Sequence, residues 1–130
     1  MKKTKRIIAS FLACCAIASS LVINASAISS VFAFSFGRGE NGYAGPVQKS
    51  NYLTYATVNV TSGNLTSSTF MYFCLYNSNQ TSAISDSVLA TGNGSYKIYY
   101  VGTTPAYGNY VYLKGLAGYQ GGQAAGSWEA

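Results

Sequence analysis

Few residues of this 130-residue chain could do chemistry, and their spacing argues against most kinds of it. There is no histidine, so neither a Ser-His-Asp triad nor a Cys-His pair can be assembled. The only acids are Glu40, Asp86 and Glu129. A glycosidase needs two carboxylates facing one bond, yet Glu40 sits in a Gly-rich stretch and Glu129 in the terminal tail. Without a general base of the usual kind, Cys74 reads as a small apolar strand residue. Zinc would need a Cys/His cluster and calcium several clustered acid oxygens; Ser85-Asp86-Ser87 is too little for either. Gly37-Arg38-Gly39-Glu40-Asn41-Gly42 spells the G-x-G-x-x-G pattern of nucleotide-binding folds. Tyr43-Ala44-Gly45-Pro46 follows and cannot open the helix that would hold a pyrophosphate, so a loop is expected there. The sequence therefore predicts a non-enzyme with no catalytic, cofactor-binding or metal residues.

Tyrosine is what remains, and its chemistry is recognition. All twelve tyrosines follow residue 28, where only seven charged residues accompany them. A tyrosine ring offers apolar stacking area and its hydroxyl a hydrogen bond, at small entropic cost. Tyrosine is also a good strand residue, and cross-strand aromatic pairs stabilise sheets by about 0.2 to 1 kcal/mol each, so packing alone accounts for much of the pattern.

The elements that must position these rings read as strands. Runs rich in Tyr, Val, Thr and Phe alternate with a two-residue period between Gly and Asn punctuation, and no segment has the 3.6-residue period of an amphipathic helix. This predicts an all-β fold, a small antiparallel β-sandwich or barrel of about five to seven strands after an N-terminal signal helix. Strands are expected at 52–61, 66–76, 87–91, 95–101 and 109–116, with a short last strand including Trp128. Residues 28–50 read as a lead-in strand and Gly-rich loop, and 51–130 as the sandwich domain. Ser62-Gly63-Asn64 and Asn93-Gly94 are turn signals, and two hairpins are expected from them. Alternation then assigns faces. Met71, Phe73, Leu75, Ile98, Val111 and Leu113 are expected inward, with Phe70, Tyr72, Cys74, Tyr76, Lys97, Tyr99, Tyr110, Tyr112 and Lys114 outward. The outward Tyr72, Tyr76, Tyr99, Tyr110 and Tyr112 form the predicted binding surface.

The N-terminus carries an export signature. Lys2, Lys3, Lys5 and Arg6 precede an uncharged stretch from Ile7 to Ile23, and Ala25-Ser26-Ala27 supplies the A-x-A pattern of a signal peptidase site. Cleavage after Ala27, with Ala25 and Ala27 as the recognised small residues, makes 1–27 a signal peptide; an uncleaved anchor is the rival reading. Both keep the basic end inside and place the rest of the chain on the outer side of the membrane. The basic block accounts for most of the chain's charge of +5, leaving one net positive charge on residues 28–130. Basicity is thus a targeting feature and gives no support to a nucleic-acid partner. Cys14 and Cys15 also fall in the signal, so Cys74 has no disulfide partner after processing.

Gly108-Asn109-Tyr110-Val111-Tyr112-Leu113-Lys114-Gly115, followed by Ala125-Gly126-Ser127-Trp128, resembles the end of many small secreted proteins of Gram-positive bacteria. These close with a strand and a Gly-x-Trp tail, and their function is largely uncharacterised. Their tail typically continues Ser-Pro-Asp, whereas here it reads Glu129-Ala130. The resemblance implies secretion and a compact β-sandwich. A fainter likeness, in size, class and aromatic content, is to the lactococcin-type bacteriocins. Three functional classes follow. The first is a secreted or cell-envelope-associated module that binds a cell-wall glycan or surface protein, touching the membrane only through the signal segment before cleavage. The second is a bacteriocin-like effector. The third is a self-associating surface or matrix protein, raised by the uncharged, β-prone run Phe70 to Leu75.

Overall fold

The computed structural model describes residues 29–130. The predicted signal segment and its helix, with Ala25 and Ala27, lie outside the described residues. The elements are β1 (Ser29–Phe36), β2 (Asn41–Gln48), β3 (Tyr55–Gly63), β4 (Met71–Tyr76), β5 (Val88–Ala90), β6 (Gly94–Tyr99), β7 (Tyr110–Ala117) and β8 (Gly122–Glu129). They form two four-stranded antiparallel sheets, ordered β1-β8-β3-β6 and β2-β7-β4-β5. The all-β sandwich expected from the alternation is present, with eight strands among the described residues instead of five to seven.

The core confirms the face assignment strand by strand. Met71, Phe73 and Leu75 of β4, Val111 and Leu113 of β7 and Ile98 of β6 are all fully buried. They meet Val58 and Val60 of β3, Phe32 and Phe34 of β1, and Trp128 of β8. Phe32 and Phe73 lie edge to face across the two sheets, with centroids 5.6 Å apart. Opposite Phe73 in the ladder stands Gly115, and a Cβ there would come within 2.6 Å of the Phe34 ring and 3.2 Å of the Met71 sulfur. The missing side chain is what lets Phe34 reach the second sheet.

Three sequence expectations are corrected. The lead-in strand expected in 28–50 is present as β1, but most of the Gly-rich stretch expected as a loop is a second strand, β2. β1 pairs along its length with β8, β2 pairs with β7, and only the tight turn at Gly37–Glu40 separates them. Gly-rich composition hid β2, an edge strand that takes Gly45 and the cis-bonded Pro46 at a bulge, where proline's missing N–H breaks no regular ladder bond. Neither expected hairpin forms. After Ser62-Gly63 the chain leaves β3 for the other sheet, and Asn93-Gly94 connects β5 of one sheet to β6 of the other. Gly63 has φ of +137°, and a Cβ there would run into the Gln123 carbonyl, so glycine serves a close strand approach at that crossing. Strand β4 also begins later than expected, because Thr66 and Thr69 hydroxyls bond each other at 2.9 Å and Thr66 accepts the Ser68 and Thr69 amides, holding a bend.

Odd-numbered strands run one way and even-numbered strands the other. Connections 49–54, 77–87 and 100–109 therefore gather at one end of the sandwich, together with the start of β1. That end is braced by Lys49, which is only 1% exposed. Its Nζ donates to the Leu53 carbonyl at 2.8 Å and to Asn51 Oδ1 at 3.1 Å, and lies 4.9 Å from the centre of the Tyr100 ring.

Candidate functional site: the outer face of the second sheet

The outer face of the β2-β7-β4-β5 sheet is built in cross-strand rows. Leu89, Tyr72 and Leu116 form one row, Cys74, Lys114 and Tyr43 the next, and Tyr76 and Tyr112 a third. Tyr110 follows two residues before Tyr112 on the same face and is exposed. Four of the five predicted tyrosines, Tyr72, Tyr76, Tyr110 and Tyr112, are thereby brought onto one surface. Tyr99 is not among them. It stands on β6 in the other sheet, beside Tyr55 with ring centroids 5.3 Å apart, on the far side of the sandwich.

Tyr43 belongs to the face and was missed, because its segment reads as a loop. It packs edge-on against Tyr76 at 5.3 Å and Tyr112 at 6.4 Å. Lys114 Nζ lies 4.9 Å from the Tyr76 ring centre and 5.7 Å from that of Tyr43, and donates a 3.4 Å hydrogen bond to the Tyr76 hydroxyl. Cation–π contacts of this kind hold the charge against the rings. The middle of the face is thus a braced aromatic cluster.

At the braced end of the sandwich the face runs into a groove of about 400 Å³. Asn77, Ser78, Thr103 and Asn109 line it with amide and hydroxyl groups, while Ile84, Pro105 and Tyr110 supply apolar walls; no charged side chain lines it. Both walls are tied down. Asn77 Oδ1 accepts the amides of Thr81 at 2.9 Å and Ser82 at 3.2 Å. The Ile84 amide donates to the Leu75 carbonyl at 2.8 Å, and the Gly108 amide to the Lys49 carbonyl at 2.8 Å. Gln48 Nε2 donates to the Gly108 carbonyl at 3.1 Å. A concave, pre-formed site with a few polar groups and one aromatic wall has the features of a small-ligand site.

The remaining reactive-type residues have structural settings. Burial pushes the Cys74 thiol up from its ordinary range, with the Lys114 charge and a Ser87 hydrogen bond opposing. It stays protonated at neutral pH and is a poor nucleophile. Glu40 closes the β1–β2 turn by accepting the Gly37 amide at 3.0 Å, so the glycine motif is a strand-to-strand turn with no helix behind it. Among the described residues no group of three or more His, Cys, Asp or Glu could hold a metal ion. Lys49, the one buried charge among the described residues, carried no sequence signal beyond being a lysine between two polar residues.

The run Phe70 to Leu75 does not lie on a sheet edge. β4 pairs with β7 over its whole length and with β5 over its first half. Its apolar alternate residues, Met71, Phe73 and Leu75, fill the core.

No family model matches the chain, and no curated protein or solved structure matches it either. What the site can do follows from its own geometry.

Proposed function

We propose that the chain is an exported, non-catalytic module that binds a glycan on the outer face of the second sheet, with the groove as the place where a sugar ring is seated. The observation that carries this reading is the continuity of an uncharged, hydroxyl- and amide-lined groove with the row Tyr110, Tyr112 and Tyr76. Sugar rings present C–H faces that stack on aromatic rings and hydroxyl rims that need short polar partners, and the groove offers both at adjoining positions. A protein partner would meet a face whose central rings are already edge-packed around Lys114, and has less flat area to use.

Binding to isolated cell wall and to a glycan panel tests the reading. Protein is taken from culture supernatant, where an intact mass beginning at Ile28 checks export and cleavage after Ala27. Affinity is expected to change little between low and high salt, since no charge lines the groove. A Tyr110→Ser/Tyr112→Ser variant of unchanged fold is expected to lose binding at least about tenfold, the equivalent of roughly 1.4 kcal/mol. Equal binding by the variant, or none by either protein, refutes the proposal.

A further inference from the structure

We propose that the braced end of the sandwich, formed by connections 49–54 and 100–109, seats on the interface of an uncharged lipid bilayer. Tyr52 is 87% exposed, Tyr107 60%, Val101 54% and Leu53 44%. Tyr52 and Tyr107 come from different connections, yet their rings stack at 5.6 Å and 27°. They form one contiguous apolar tip, and single exposed side chains scattered over a surface would not do so.

The backbone beneath the tip is held outward. Lys49 Nζ and Asn51 Oδ1 fix the carbonyl and amide of Leu53, at 2.8 and 2.9 Å. The Lys49 amide donates to the Asn109 carbonyl, and the Tyr100 amide to the Thr54 carbonyl, at 2.8 and 3.0 Å. These bonds join the two connections. Tyrosine with an aliphatic neighbour is the composition of a membrane-interface anchor, apolar body inward and hydroxyl at the headgroups.

Two further observations choose the bilayer and its charge. Residues 50–54 and 100–109 contain no charged side chain, and the charges nearest them, Lys49 and Lys97 against Asp86 and Glu129, balance, so anionic lipid adds no net attraction. Ser29 begins β1 at this same end, where it pairs with Glu129. The uncharged run Ile7 to Ile23 is joined there through residues 24–28, a length that reaches at most about 20 Å. Whenever that run is in a bilayer, the tip is held close to the same surface. The opposite end lacks this character, because its exposed Tyr119 carries the charged Arg38 guanidinium on one ring face, 3.6 Å from the ring centre.

The inference does not rest on the glycan reading, although Thr103, Pro105, Gly108 and Asn109 of the groove belong to one of the two connections, and its test contains no glycan. Amide hydrogen exchange is followed on the exported chain beginning at Ile28, which lacks the run Ile7 to Ile23, with vesicles of phosphatidylcholine alone. Slower exchange is expected in 50–54 and 101–108, with none in 37–40 and 118–121, and the effect is expected to persist in high salt. Protection at neither end, protection at both ends alike, or protection that requires phosphatidylglycerol and vanishes with salt overturns the proposal. A Tyr52→Ser/Leu53→Ser/Tyr107→Ser variant changes only exposed side chains. It is expected to keep the buried-Trp128 fluorescence of the parent and lose the tip protection; retained protection in that variant overturns the proposal as well. The Tyr110→Ser/Tyr112→Ser variant is expected to be protected like the parent, so loss of glycan binding and loss of membrane seating are read separately.

Discussion

Phe73 and Tyr112 stand on neighbouring strands of one sheet and face opposite ways, one fully buried and the other half-buried on the outer face. Phe73→Ala leaves a cavity beside Phe32 and Phe34 and is expected to cost about 3 to 5 kcal/mol in denaturant unfolding. Tyr112→Ala removes an edge-on contact with Tyr43 and is expected to cost about 1 kcal/mol or less. Equal losses would mean that the face assignment is wrong. At the other end of the polarity scale, burial lowers the pKa of Lys49 from its usual 10.5 and raises that of Tyr100 from its usual 10.0. Between the lowered native value of Lys49 and 10.5 the unfolded chain binds the extra proton, so stability rises with pH over that interval. Above 10.0 the unfolded chain loses the Tyr100 proton that the native state keeps, so stability falls. Denaturation midpoints measured from neutral pH to strongly alkaline pH are expected to show both limbs. Lys49→Met is expected to flatten the rise and Tyr100→Phe the fall.

At the scale of elements, the glycines that matter are those where chain meets chain. Gly63 closes β3 with a positive φ against the backbone of β8, whereas a Cβ at Gly92 would meet nothing within 4 Å. Gly63→Ala is expected to destabilise by more than about 1 kcal/mol, since strain in φ and contact with Gln123 act together. Gly92→Ala is expected to fall within about 0.5 kcal/mol of the parent. Thermal unfolding of the pair checks whether Gly63 is needed for the crossing itself or only tolerated there. The strands on either side of such crossings were legible in the alternation of Val58, Val60, Met71, Phe73, Val111 and Leu113. The destination of each connection was not, because a Gly-Asn pair permits a tight hairpin and an inter-sheet arch equally well.

For the whole molecule, six of the seven connections among the described residues pass from one sheet to the other, and β8 lies between β1 and β3. Partners such as Ser29 and Glu129 are nearly a full domain apart in sequence. Folding dominated by such pairings is slow for its size, and refolding followed by Trp128 emission is expected on the millisecond-to-second scale. A microsecond phase carrying the whole amplitude would contradict it. The two outer faces also differ. Thr57, Asn59, Ser95 and Ser127 put short polar side chains on the first sheet beside the Tyr55–Tyr99 pair, while the second carries the larger tyrosine cluster and leads to the groove. This asymmetry is why the binding reading attaches to one side.

By itself the sequence determined the class of fold, the inward and outward side of the three strands whose faces it assigned, and the absence of histidine-based catalysis. Those properties depend on residue type and a two-residue period, which are local. Tertiary structure decided which tyrosines share a surface. It put Tyr99 on the far sheet, brought Tyr43 in from an apparent loop, and closed the groove from 77–84 and 103–110, stretches far apart in the chain. It also buried Lys49 beneath a tip assembled from two connections. Side-chain alternation says which face of its own strand a residue occupies. Only the order of strands across a sheet, set by long-range packing and crossings, says which faces become one.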